Sequence, residues 1–175
     1  MIGHRFSSLM ILNLHSNNLN GQISKELCAL TSLQILDHSY NKLSGGIPRC
    51  VNNFSAMATK NNSNPDMSFH PLDYYYYVAA IPLESELLVI KGKALKYSTI
   101  PHLVKCIDFS KNSLLGEIPK EITSLQELQS LNLSYNLLIG SIPKNIGTMG
   151  SLESIDFSMN QLSSQIPSSM SILTF

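Results

Sequence analysis

The sequence predicts an α/β repeat solenoid, with a concave parallel β-sheet, a short 3-10 or irregular convex side, and one inserted island. Three observations predict it. Apolar residues recur with a fixed period: Leu9 and Leu33 are 24 residues apart, and so are Val104, Leu128 and Leu152 in succession. A period in that range marks stacked supersecondary units, none of which can bury its apolar face alone. An Asn holds the ninth place of every unit, as Asn17, Asn41, Asn112, Asn136 and Asn160. The step from Asn41 to Asn112 is 71 residues rather than 24, so 47 residues are inserted there, from about Met57 to Leu103.

The unit Leu128–Ser151, LQSLNLSYNLLIGSIPKNIGTMGS, reads L-x-x-L-x-L-x-x-N-x-L-x-G-x-I-P. Leu131 and Leu133 alternate with period 2, which makes a short strand with one face inward. Gly140 allows a turn with positive φ, and Pro143 fixes φ while donating no hydrogen bond, so the chain bends and returns. The ninth-place Asn carries a short amide that can bond backbone groups left unpaired at the strand end. Repeated from unit to unit, it should form a ladder joining successive coils.

Taken in order, Met1–Ser8 reads as the tail of a preceding unit, and Leu9–Ser32 as the first full coil, with Ser24 where Pro is expected. Leu33–Ala56 is the second coil. In it His38 takes the inward place held elsewhere by Leu14, Phe109, Leu133 and Phe157. It is read as a neutral buried histidine rather than a ligand or a pH switch, because no partner column is visible. The insertion opens with the polar run NNSNPD, continues through DYYYY, and carries a strand at Leu87–Ile90 followed by Gly92. The domain boundaries that follow are 1–56 for a partial unit and two coils, 57–103 for the island, and 104–175 for three coils.

Bulk properties narrow the function. The formal net charge is zero, charged residues are 14% of the 175, and no basic stripe or RNA-type aromatic motif is present, so nucleic acid is not an expected partner. No apolar run reaches the roughly 18 residues that span a bilayer. MIGHRFSS lacks the apolar core of a secretory signal. Both ends look cut from a longer array, without the polar caps a solenoid needs. The chain shows no HExxH, CxxC, GxGxxG after a long strand, or G-x-S-x-G, and its histidines are scattered, so neither catalysis, a metal nor a cofactor is expected.

The pattern resembles plant-type leucine-rich repeats with the 24-residue GxIP signature. More closely, RFSSLMILNL, ELCALTSLQILD, SGGIPRCVNNFSAMAT, LLVIKGKALKY, IDFSKNSLLGEIPKEIT, LQSLNLSYN and LESIDFSMNQL resemble the membrane-proximal ectodomain of plant receptor-like proteins of the fungal-xylanase receptor and apple-scab resistance type. The insertion matches that family's island domain, and Lys91 and Tyr97, as K-x5-Y, match its lysine–tyrosine motif. His15 stands where Arg is common in the family. The resemblance implies a cell-surface receptor ectodomain, on the extracellular side of the plasma membrane, acting in immunity or development. It implies a protein or peptide ligand on the concave face and island, and a leucine-rich-repeat co-receptor kinase docked on the final coils.

Several residues then become candidates. Shifted back by one period, Cys50 falls two places from Cys28 on the adjacent coil, within reach of a disulfide; two buried thiols are the alternative. Cys106, on an outward strand place, is left as a free thiol. Sequons occur at Asn53, Asn61 and Asn132. The outward columns Asn13, Asp37, Asp108, Asn132, Asp156 and His15, Ser39, Ser110, Ser134, Ser158 recur and suggest a general role in the repeat. Two columns vary: Ile11, Ile35, Cys106, Ser130, Ser154, and the column before the ladder Asn, Ser16, Tyr40, Lys111, Tyr135, Met159. Variable outward residues are where recognition would differ between proteins, so Tyr40, Lys111, Tyr135 and Met159 are partner-binding candidates. Within Tyr74–Tyr77 at least one or two rings must be exposed, which adds Tyr74 and Tyr75 to Lys91 and Tyr97. Two other functions remain open: a soluble inhibitor of a pathogen cell-wall-degrading enzyme, which the island argues against, and a truncated product with no function of its own.

Overall fold

The computed structural model describes residues 8–58, 87–90, 93–96 and 104–173, the two short central pieces as backbone only. The chain forms two compact units, one from residues 1–60 with 104–175 and the other from Asn61–Leu103. In chain order the strands are β1 (Ile11–Asn13), β2 (Asn20–Gln22), β3 (Ile35–Asp37), β4 (Lys42–Gly45), β5 (Leu87–Ile90), β6 (Lys93–Lys96), β7 (Cys106–Asp108), β8 (Ser113–Glu117), β9 (Ser130–Asn132), β10 (Leu137–Gly140), β11 (Ser154–Asp156) and β12 (Gln161–Leu162). In the second unit, β5 and β6 pair antiparallel.

In the first unit, each coil contributes one strand to each of two parallel sheets. The first sheet runs β1-β3-β7-β9-β11, and the second runs β12-β10-β8-β4-β2. Its register is that of the repeat, Leu12 beside Leu36, Leu36 beside Ile107, Ile107 beside Leu131 and Leu131 beside Ile155. The second sheet goes beyond the sequence reading, which ended the strand at the ladder Asn and expected an irregular return. A 3-10 helix follows the second strand in each coil, at Lys25–Ala29, Arg49–Asn53, Lys120–Ser124, Ile146–Thr148 and Ser168–Ile172. The glycine place bends the chain between the two: Gly140 has φ +78°, and Ser164 takes the same conformation at +75°. Gly147 lies against the Ser169 backbone of the next coil, with no room for a Cβ.

Between the sheets runs one apolar core. Leu33, Leu36, Phe54, Met57, Ile107, Leu114, Ile122, Leu125, Leu128, Leu133 and Leu138 are fully buried, each contributing about 1.5–3 kcal/mol relative to exposure. Leu19, in the first described coil, and Ile166, in the last, are exposed in columns that are buried in the central coils at Leu43, Leu114, Leu138, Ile47 and Ile118.

The Asn ladder joins the coils. Asn136 is buried; its Nδ2 donates to the carbonyls of Leu133 and Ser134 in its own coil and of Phe109 in the coil before, and its Oδ1 accepts from Leu114 N at 3.0 Å. Asn41 and Asn160 repeat the arrangement. Asn112 makes it across the insertion: its Nδ2 reaches the His38 carbonyl at 3.0 Å, and its Oδ1 accepts from Leu43 N at 2.9 Å. The amide thus satisfies backbone groups that the sheet cannot pair.

His38 occupies the inward place the sequence assigned it, against the ring of Phe109. Both ring nitrogens are buried without a hydrogen-bond partner. Burial holds its pKa below the ordinary value, opposed by the neighbouring Asp37 carboxylate.

Two outcomes follow. Asn136→Ala strands buried backbone donors and acceptors, each costing about 1–3 kcal/mol, so it should lower unfolding free energy by more than Asn17→Ala, whose side chain is exposed; paired denaturant melts measure the difference. For His38, the folded state prefers the neutral ring, so its contribution is intact above the unfolded value of about 6.5 and is lost as pH falls below it. Melting temperatures between pH 7.5 and 5 should therefore fall more steeply in the wild type than in His38→Leu, a difference that cancels other titrating groups such as Asp108.

Candidate functional site

The residue before each ladder Asn is forced into an unusual backbone conformation. Its Asn neighbour ties the two preceding carbonyls into a tight turn. The N–H groups of both residues then point at the next coil: Tyr40 N donates to Ser110 O and Asn41 N to Lys111 O, while Lys111 N donates to Ser134 O and Asn112 N to Tyr135 O. The result is left-handed φ at Ser16 (56°), Tyr40 (59°), Lys111 (51°), Tyr135 (54°) and Met159 (54°). For a non-glycine residue this costs about 1–2 kcal/mol, and the ladder bonds on either side hold it. The side chains at this place stand clear of the sheet. Tyr40 and Tyr135 are each 52% exposed and Met159 64%.

The structure brings these residues together as one row. Lys111 Nζ lies 4.3 Å from the ring centroid of Tyr40 and 5.9 Å from that of Tyr135, so one cation sits between two aromatic faces from the coils on either side. At the other side of Tyr40, the His15 ring meets it edge-on at 6.0 Å. His15 Nδ1 also lies 2.7 Å from Ser39 Oγ and 3.9 Å from Asp37 Oδ1. The sequence reading placed His15 in a recurrent column and missed its contact with Tyr40. Its place beside Ser39, the residue before Tyr40, in the neighbouring coil was the available signal.

Two of the columns read as solvent-facing are buried in the central coils, although His15 and Ser158 at the ends are exposed. Ser39, Ser110 and Ser134 are buried. Asp37 Oδ1 accepts from both the N–H and the hydroxyl of Ser39, Asn132 Oδ1 does the same for Ser134, and Asp108 Oδ1 accepts from Ser110 N; the short serine side chains are drawn down onto the sheet. Ile35, Cys106 and Ser130 are also buried, so this column is not the recognition surface its variability suggested. Cys106 is a free thiol with Ile35 and Ser130 in register on either side. Burial, and then the Asp108 carboxylate, push it up to about 12, so it is inert rather than reactive. Burial likewise raises Asp108, opposed by its bonds from Ser110 and Asn132.

Cys28 and Cys50 form a disulfide with Cα atoms 5.8 Å apart, fastening the first coil to the second. Asn53 is exposed at the end of its 3-10 helix. Asn132 is half-buried on the first sheet and donates its Nδ2 to Asp108 Oδ2 at 3.0 Å. Lys91, Tyr97, Tyr74, Tyr75 and Asn61 lie outside the described residues. On the second sheet Leu115, Leu137 and Ile139 are exposed, beside a groove lined by Arg49, Glu117, Lys120, Glu121 and Lys144, whose mixed charges select no single ligand charge. Among the described residues no group of three His, Cys, Asp or Glu could hold a metal ion, and no helix is long and apolar enough to cross a membrane.

The stacked coils, the paired parallel sheets and the ladder meet a matching family. The Leucine Rich Repeat profile fits residues 8–30, 103–125, 127–149 and 151–173, more than half of the chain. This chain belongs to the leucine-rich repeat family. Its similarity is to plant receptor-like proteins: Receptor-like protein EIX2 of Solanum lycopersicum is 44% identical over 131 residues, 74% of this chain. The chain spans 13% of that relative's length. Among solved structures, a chain of the BIR3–SERK2 complex from Arabidopsis thaliana superposes with a TM-score of 0.60 at 30% identity, over 91% of this chain and 60% of that one. The ectodomain of the Arabidopsis receptor kinase HAESA, in complex with an N-terminally extended IDA peptide hormone, superposes with a TM-score of 0.65 at 27% identity, over 95% of this chain and 21% of that one. The second leucine-rich repeat coil, not fitted by the profile, keeps the register of its neighbours despite His38.

Because the ladder imposes the positive φ, side-chain shape at the row should be read out in stability. Tyr135→Val, β-branched and unsuited to this conformation, should cost more than about 1 kcal/mol, whereas Tyr135→Gly should be near neutral; thermal melts of the two variants decide it.

Proposed function

We propose that this chain is a non-catalytic protein-recognition module from the ectodomain of a plant cell-surface receptor, facing the extracellular side, that binds a protein or peptide ligand and a leucine-rich-repeat co-receptor kinase. The observation that carries the reading is the exposed row Tyr40, Lys111, Tyr135 and Met159: two tyrosines and a cation, held rigidly at one-coil spacing on residues that do no core work. Tyr is a frequent interface anchor because it offers a large contact area with few rotatable bonds. The HAESA complex, whose ectodomain holds a peptide hormone, supports the ligand class. The Cys28–Cys50 disulfide supports an oxidising compartment.

The reading includes the island. Lys91 and Tyr97, with Tyr74 and Tyr75, are proposed to share in partner contact, and 57–103 to act as a distinct element between the coils of 1–56 and 104–175. Glycans are proposed on Asn53 and Asn61. At Asn132 a glycan would first have to displace the bond to Asp108.

The test is capture of a co-receptor ectodomain by the immobilised full chain. The double variant Tyr40→Ala/Tyr135→Ala should weaken capture about tenfold or more, since a central aromatic anchor is worth about 2 kcal/mol, with circular dichroism unchanged. Capture that the variant leaves intact, or no capture by the wild type, would overturn the reading.

A further inference from the structure

We propose that the Tyr40–Lys111–Tyr135 row is an anion receptor that takes the carboxylate of an acidic, extended peptide segment lying across the coils. The inference rests on the recognition reading above and deepens it by naming the ligand's charge. Lys111 is exposed, and no carboxylate of the described residues pairs with its ammonium. The nearby acids are already committed. Asp37 accepts from Ser39 and faces His15, Asp108 accepts from Ser110 and Asn132, and Asp156 accepts from Ser158 N. The amine is instead held over the face of Tyr40, with the Tyr135 ring beyond.

Ring faces on both sides fix the amine without neutralising it, because a ring quadrupole attracts a cation but carries no net charge. The charge left over is available to a partner. The flanking rings shield it from water on two sides, and charge complementarity at such a place sets specificity more than bulk affinity. The ligand is extended because the row repeats once per coil, about 4.8 Å, while an extended chain advances about 3.4 Å per residue. A straight segment therefore places its acidic side chain at Lys111 and the next side chain on the same face, about 6.8 Å along, over Tyr40 or Tyr135. The groove on the second sheet carries Glu117 and Glu121 among its cations, and no pair of aromatic rings lines it.

The probe is an array of immobilised peptides of about seven residues, enough to cross several coils, identical but for a central Glu, Gln, Lys or Leu. The full chain should bind the Glu peptide about fivefold better than the Gln peptide at low salt, the scale of an exposed charge pair, and the preference should shrink as salt rises. Lys111→Gln should abolish the preference, and Lys111→Arg should keep it. Equal binding of Glu and Gln peptides, or a preference that survives Lys111→Gln, would overturn the anion receptor. If the tyrosine double variant still weakens co-receptor capture in that event, the row remains a recognition face and only its charge selectivity falls.

Discussion

The structure depends on one side-chain amide per coil. At the corners between the first sheet and the second that Asn41, Asn112, Asn136 and Asn160 close, backbone carbonyls and an N–H are turned away from any strand partner, and the amide meets them with three donated bonds and one accepted bond. Water could serve exposed corners, but Asn136 is buried, and there the amide meets those groups in place of water. Leucines supply most of the favourable free energy. The amides decide which stacking they stabilise, because a slip of one place would leave each corner unpaired.

The same amides create the recognition row. Closing the corner forces the preceding residue to positive φ and lifts its side chain off the sheet. That place makes no demand on the core, so its occupant varies as Ser16, Tyr40, Lys111, Tyr135 and Met159, none of them β-branched. The strain it carries is the same in each coil and is offset by the same bonds. Surface chemistry and fold stability are thereby separated along one residue of the repeat, and a change of contact costs the fold little.

Much of this was legible in the sequence, and the rest was hidden for physical reasons. The period gave the coils, the inward columns, the ladder and the place of His38. The second sheet was not legible: Leu137, Leu138 and Ile139 are apolar in succession, and strands of two to five residues are too short to show an alternation. Exposure on the first sheet could not be judged from alternation alone. Ser39 and Cys106 occupy places that alternate with inward residues, yet neighbours in register bury Cys106, and hydrogen bonds to Asp37 draw Ser39 down onto the sheet. The row itself was legible as a list of variable positions. The seating of Lys111 between Tyr40 and Tyr135 was not, because it needs the register to pass unchanged through the insertion.

That register survives because interrupting it costs little. Closing a loop of 71 residues instead of 24 adds only about 1 kcal/mol of chain entropy, since the penalty grows with the logarithm of length. Against it stand the pairing of β3 with β7, the four bonds of Asn112 and the contact of His38 with Phe109. The weak member of that seam is His38, the one polar side chain in its column. A leucine there would bind the two halves of the array more firmly and at every pH. The junction at which 47 residues leave and return thus also carries the one inward histidine of the array, whose neutral form the fold prefers.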